Sequence, residues 1–146
     1  MRRKWPWLLA GVTLAGAAGL WGGAGTAHPN DAAGADYAVQ REYAVDGYTI
    51  VVASNEGTAR VLQEKMFTVS VKGADGMPVT GAQLLLAIDM PDMFCGTSRA
   101  ELGETEPGRY TGSGIPLMAG RQKAEVTVKG AGGAVLKVDY PFLAER

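Results

Sequence analysis

Hydrophobic and polar residues alternate with a period of two along much of the chain, and this pattern predicts β-strands. Phe67, Val69 and Val71 would lie on one face of such a strand, while Thr68 and Ser70 would lie on the other. The same kind of pattern, or a run of β-branched and aromatic residues, marks further segments. The predicted strands cover residues 48–53, 66–71, 83–90, 109–111, 123–129 and 135–140.

Glycine-rich turns separate these segments, and beyond the leader no stretch shows the helical period. The apolar run Leu84–Ile88 is typical of a strand covered on both faces. A buried helix of that length is the alternative, but the proline and glycine around the run favour a strand. Residues 91–120 are rich in glycine and proline and are predicted as loops around one short strand. Together these features predict an all-β, immunoglobulin-like antiparallel sandwich of about seven strands.

The first 27 residues have the composition of an export signal or a membrane anchor. Three basic residues, Arg2 to Lys4, precede an uncharged run from Trp5 to Ala27. Gly25 and Ala27 would form a small-x-small cleavage site, which predicts a signal peptide. The run is also long enough for a helix that spans the membrane, which needs about 20 residues. Both outcomes export residues 28–146 and keep the positive charge in the cytoplasm.

The exported part is predicted to contain a flexible linker, residues 28–36, and one domain, residues 37–146. The chain has 14 basic and 15 acidic residues. Without the leader, 11 basic residues remain against the same 15 acidic ones, a net charge of about −4. No basic block remains, which argues against nucleic acid as a partner. His28 is the only histidine, so catalytic sites that need several histidines or a histidine beside a nucleophile do not fit, and we expect no enzyme.

Sulfur-containing side chains are concentrated in one short segment. Met90, Met93 and Cys95 lie within six residues of one another, where a predicted strand ends, and Met118 follows in a second loop. Thioether and thiolate sulfur atoms prefer copper(I) to harder ions. We therefore predict that Met90, Met93 and Met118 form a copper(I) site at one end of the sandwich, with Cys95 as a further ligand. The alternative is that these methionines fill a gap at the end of the core.

Cys95 and His28 have further interpretations. A single cysteine in an exported domain cannot form an internal disulfide. Cys95 would then be an intermolecular disulfide partner, a reactive thiol, a metal ligand or a buried inert residue. If cleavage follows Ala27, the imidazole and new α-amine of His28 could chelate copper(II). The sequence Ala-His-Pro is similar to the start of mature CopC-like copper carriers, although a solvated linker histidine is the alternative.

Four motifs occur in a characteristic order, and the last precedes an alternating strand. They are Asp75-Gly76-Met77-Pro78-Val79-Thr80-Gly81-Ala82, Met90-Pro91-Asp92-Met93, Pro107-Gly108-Arg109-Tyr110 and Leu117-Met118-Ala119-Gly120. Over residues 45–143 this order resembles the YtkA-like domain, a group that includes FixH-like proteins. The tryptophan usual in that family after the second methionine motif falls near Gln122 here, and no aromatic residue replaces it.

The resemblance implies an extracytoplasmic β-sandwich with a membrane-related or copper-related role. FixH-like members assist the assembly of haem-copper respiratory oxidases, and YtkA-like domains accompany metal-efflux components. We expect a non-enzymatic, membrane-associated domain in the periplasm or on the outer face of the cytoplasmic membrane. It would bind copper(I) or assist a copper-dependent membrane complex. Two alternatives stay open: an interaction module without metal, and a redox accessory that uses Cys95 in a mixed disulfide.

Overall fold

Residues 37–130 and 132–146 are described by the structure, a computed structural model, and they form strands and turns. The predicted leader and linker, residues 1–36, lie outside the described residues. Within the described ranges there is no helix that is long and apolar enough to cross a membrane.

The described residues contain nine strands, which join in the order β1-β2-β4-β7-β6-β5-β8-β9-β3. Neighbouring strands are antiparallel, apart from the short parallel pairing of β3 with β9. The strands are β1 Gln40–Val45, β2 Tyr48–Ser54, β3 Thr58–Arg60, β4 Lys65–Lys72, β5 Gln83–Met90, β6 Met93–Glu106, β7 Arg109–Gly114, β8 Gly120–Lys129 and β9 Val135–Glu145.

The long strand β6 connects two sheets. Its residues up to Leu102 pair with β5, whereas Gly103–Glu106 pair with β7. The first sheet therefore consists of β1, β2, β4, β7 and the end of β6. The second sheet consists of the start of β6, β5, β8, β9 and β3. The two sheets pack face to face as a β-sandwich.

Both sheets direct their apolar faces into one shared core. Phe67 and Val69 of β4 are fully buried, as are Ala124 and Val126 of β8 in the opposite sheet. The ring of Phe67 meets Tyr140 and Phe142 edge to face, with centroids 6.1 and 5.8 Å apart. Each large apolar side chain buried in this way contributes roughly 1.5–3 kcal/mol to stability. The alternation predicted from the sequence is thus confirmed as the origin of the core.

All six predicted strands are present, but three further strands were not predicted. β1 and β3 are edge strands, and β6 occupies much of the segment 91–120 that was predicted as loops. That prediction was wrong because most side chains of β6 are exposed, so the strand has no continuous apolar face to show a period of two. One of its glycines, Gly96, has φ of +106° and occupies a bulge within the strand.

The last strand also continues further than predicted. β9 was expected to end before Pro141, yet it runs through to Glu145. Pro141 pairs with Lys123 of β8 on one side, and β3 joins the other side only from Leu143 onward. Because one side of β9 is free at Pro141, a residue without a backbone N–H group is tolerated there.

A cluster of hydrogen bonds fixes the segment that leads into β5. The buried hydroxyl of Tyr110 donates to the carbonyl oxygen of Val79 at 2.8 Å and accepts from the N–H group of Ala82 at 3.1 Å. The carboxylate of Glu104 accepts from the N–H groups of Gly81 at 3.0 Å and Gly108 at 3.1 Å. These bonds connect the segment that precedes β5 with the turn between β6 and β7.

We expect Tyr110→Phe to lower the free energy of unfolding by about 1–3 kcal/mol, because two backbone groups at the end of the core lose their partner. Urea denaturation followed by circular dichroism measures the change. Tyr48→Phe is the control, since Tyr48 packs against the core and its hydroxyl forms no hydrogen bond within the described residues. An equal, small loss in both variants would contradict the role of the Tyr110 hydroxyl.

Hydrogen bonds from the N–H group of Gly81 and, to a smaller extent, from that of Gly108 lower the pKa of Glu104 from its usual value of 4.5. A carboxylate whose pKa is depressed by folding stabilises the protein above its ordinary pKa and loses this effect as the pH falls through the folded-state pKa. Glu104→Gln should therefore be less stable than the parent at neutral pH, and the difference should shrink as the pH falls below the ordinary pKa of 4.5 and through the lower folded-state pKa. Urea midpoints measured between pH 3 and 7 test this, with Glu106→Gln as the neighbouring control.

Candidate metal site at one tip of the sandwich

Met90 and Met93 face each other across a tight hairpin. Met90 ends β5 and Met93 begins β6, with only Pro91 and Asp92 between them, and the two methionines are cross-strand partners. Opposite residues in an antiparallel pair have their Cβ atoms about 4.5–5.5 Å apart. The hairpin therefore places the side chains of Met90 and Met93 next to each other on one face of the strand pair.

A wide bulge follows this pair on β6. Ile88 pairs with Ser98, and the next pair is Met90 with Met93, so Asp89 alone faces residues 94–97. Extra residues on one strand bend it outward and interrupt the pairing. The bulge exposes 97% of Phe94 and also leaves Cys95 exposed, which shows that the interpretation of Cys95 as a buried, inert thiol is wrong.

The segment 115–120 packs against the hairpin and brings Met118 to the same end of the molecule. Cε of Met90 lies so close to Gly120 that a side chain there would begin 3.1 Å away. Leu117 lies beside Gly96 of the bulge in a similar way, at 3.5 Å. We call residues 90–97 and 115–120 together the methionine tip.

Two polar contacts hold this tip together. Gln122, only 3% exposed, donates from Nε2 to the carbonyl oxygen of Met118 at 2.9 Å. The guanidinium of Arg121 forms an ion pair with Asp92 at 2.6 Å, and this hydrogen bond and charge raise the pKa of Arg121. Gln122 fixes the backbone beside Met118, and Arg121 joins the start of β8 to the hairpin turn.

The exposure of the methionines distinguishes the two interpretations of the tip. Met90 is half-buried, but Met93 is 55% exposed and Met118 is 40% exposed. A residue that fills a gap in the core has little accessible surface. Gap filling therefore fits Met90 in part and does not describe Met93 or Met118, which are accessible from solution.

The remaining candidate ligands lie in different places. Cys95 belongs to the methionine tip, whereas His28 lies outside the described residues. Among the residues that the structure describes, no three His, Cys, Asp or Glu side chains gather as a metal-binding group.

Sequence reasoning missed two residues of the tip, Phe94 and Leu117, and two residues that hold it in place, Arg121 and Gln122. Phe94 and Leu117 expose apolar surface beside the methionines, and the other two residues hold the segments in place. The signal for Phe94 was its place between Met93 and Cys95, although the bulge that exposes it has no sequence pattern of its own. The polar Gln122 inside an alternating strand, on the same face as Ala124, was a signal for a buried hydrogen bond.

No family model matches the chain, and no curated protein matches it. Several solved structures are similar to it. The Escherichia coli adhesin FdeC is 20% identical, with a TM-score of 0.54 over 73% of this chain and 33% of the adhesin, so the chain spans about a third of the adhesin's length.

Two other similar structures are more distant. The Lin-41 filamin domain is 19% identical, with a TM-score of 0.49 over 72% of this chain and 97% of that domain. The PmoD soluble domain from Methylocystis sp. ATCC 49242 is 12% identical, with a TM-score of 0.45 over 66% and 91%. At such identities the likeness to the adhesin concerns the fold alone. It agrees with the predicted immunoglobulin-like β-sandwich.

Gln122→Leu should loosen the segment 115–120, because the carbonyl of Met118 loses its only donor among the described residues and the new side chain cannot replace it. Hydrogen exchange read by mass spectrometry should show faster exchange of residues 115–120, and the free energy of unfolding should fall by about 1–3 kcal/mol. Gln83→Leu is the matched control, since Gln83 is exposed and makes only a 3.4 Å contact with Glu101. Unchanged exchange in Gln122→Leu would contradict this role.

Proposed function

We propose that this protein is an exported, non-enzymatic domain that binds copper(I) at the methionine tip. Met90, Met93 and Met118 would provide thioether ligands, and Cys95 would be a further ligand from the bulge. The observation that supports this most directly is the pairing of Met90 with Met93 at the end of a two-residue hairpin. Thioethers are soft ligands, and a site made of them favours copper(I) over the harder divalent ions.

The surroundings of the sulfur atoms also suit copper(I). Phe94 and Leu117, next to Met93 and Met118 in the chain, add exposed apolar surface to the tip. The site would lie on the surface, because Met93 and Met118 remain accessible. An accessible site can exchange its ion with a partner protein by direct contact, whereas an ion in a closed core could not leave without unfolding.

The leader supports a location outside the cytoplasm. Its basic start and uncharged run are those of an exported or anchored chain, so the domain would work in the periplasm or at the outer face of the cytoplasmic membrane. There it would supply copper to a copper-dependent membrane complex, such as a respiratory oxidase, or work beside a metal-efflux component. The resemblance of its four motifs to YtkA-like and FixH-like proteins supports the same role.

A specific observation favours a second candidate function. Phe94 is 97% exposed and Leu117 is 40% exposed, which gives the tip an apolar surface suited to contact with another protein. In this alternative the domain is an interaction module, and its methionines contact the partner instead of a metal. The exposed thiol of Cys95 also satisfies the access that a redox accessory would need for a mixed disulfide.

The variant Met90→Leu with Met93→Leu tests the copper proposal. Leucine keeps the apolar volume but removes the sulfur ligands, so folding should be almost unaffected. Anaerobic titration with copper(I) against a competing chelator should show at least a roughly ten-fold weaker affinity, a change of about 1.4 kcal/mol. The matched control is Met66→Leu with Met77→Leu, which removes two exposed thioethers that lie outside the tip.

Equal copper(I) affinity in the parent and in the tip variant would exclude this site. The same titration of Cys95→Ser separates the contribution of the thiol from that of the thioethers. Weaker binding in both double variants would mean that methionines bind copper without regard to their position, and it would also count against a site at the tip.

A further inference from the structure

The start of β6 forms a free edge of the second sheet. Residues Ser98–Leu102 pair with β5 on one side, and within the described residues no strand pairs with them on the other side. The bulge ends this regular edge before Ser98, and the passage of β6 into the first sheet ends it after Leu102. Along these five residues, the backbone groups of every second residue point away from β5, and these groups form a template for another strand.

The sequence of this edge is complementary to itself. It reads Ser98-Arg99-Ala100-Glu101-Leu102, so a basic and an acidic residue flank a central alanine. Arg99 and Glu101 are exposed and share the outward face, whereas Ala100 packs against the core. If two copies pair antiparallel about a two-fold axis at Ala100, each Arg99 lies directly opposite the partner's Glu101. Opposite charges at directly opposed positions stabilise an antiparallel pair.

Neighbouring registers would be unfavourable. A shift of two residues in one direction places Arg99 opposite the partner's Arg99, and a shift in the other direction places Glu101 opposite the partner's Glu101. Like charges directly opposite each other destabilise a strand pair. The pattern of charges therefore selects one register, in which the five free residues of one copy cover the five free residues of the other.

The neighbours of Arg99 in the monomer also favour such a pairing. On β5, Arg99 lies opposite Ala87 and Glu101 lies opposite Leu85, so neither faces a charge across the strand. Among the described residues, no acidic side chain forms an ion pair with Arg99. Two copies that join at this edge would provide each arginine with a carboxylate and would convert the two second sheets into one continuous sheet.

We propose that the protein forms a two-fold symmetric homodimer through antiparallel pairing of the Ser98–Leu102 edges, centred on Ala100. A symmetric interface uses the same surface on both copies, as this one does. The interface lies beside the methionine tip but uses none of its residues, so the dimer does not depend on copper binding.

Cysteine cross-linking of the full chain in intact cells that express it tests the register. In a Cys95→Ser background, Ala100→Cys places the new thiols opposite each other, and mild oxidation should link most of the protein as a dimer on a non-reducing gel. Ser98→Cys is the matched control, because its two thiols would be about 14 Å apart along the strands and should not link. Equal linking of both variants, or none in either, would overturn the proposal.

Charge reversal tests the interaction itself. Arg99→Glu in the Ala100→Cys background should reduce cross-linking at least five-fold, and addition of Glu101→Arg should restore it, because the pair is then reversed and still complementary. Sedimentation of the parent protein gives a readout without any new cysteine, and it should show twice the monomer mass. A monomeric parent, or a reversal that has no effect on cross-linking, would contradict the dimer.

Discussion

The pairing of β5 with β6 is the contact on which both surface features of this protein depend. β5 is anchored by Leu84, Leu86 and Ile88 in the shared core, so its position is fixed by burial. β6 has little buried surface of its own before Leu102 and follows β5 through backbone hydrogen bonds. The bulge after Met93 and the free edge that begins at Ser98 both lie on β6. Their positions therefore depend on β5, which is anchored in the core.

The parts of the fold that the sequence predicts are those that bury one face. β4 and β8 alternate clearly because every second side chain enters the core, and both were predicted within a few residues of their ends. β6 was not predicted because most of its side chains are exposed, so burial imposes no regular pattern on its residues. Its partner strand, β5, has a different pattern. The order of the strands in the sheets also cannot be predicted from the sequence. It depends on which strand edges remain available for pairing once the apolar faces have packed together.

The methionine tip also has one part that the sequence predicts and another that it does not. The sequence predicts that Met90 and Met93 lie close together, because only two residues separate them and one of these is a proline that ends the predicted strand. The contact of the segment 115–120 with the hairpin is different, since it depends on packing around Gly120 and on the hydrogen bond from Gln122. Such long-range contacts have no local signal. A resemblance of motifs can place Met118 in the right loop, but only coordinates show which strand end the loop meets.

The bulge has a consequence that connects the tip with the edge. Without it, β6 would continue as a regular edge from Met93 to Leu102, and a second strand would cover the residues beside the methionines. Because residues 94–97 leave the plane of pairing, the regular edge begins only at Ser98. A strand that joins the edge thus ends before the tip, and Met93 and Phe94 stay exposed whether or not the edge is paired. The bulge therefore limits the length of the free edge and also keeps the methionines accessible. As a result, β6 can make two separate contacts, one through the edge and one through the methionine tip.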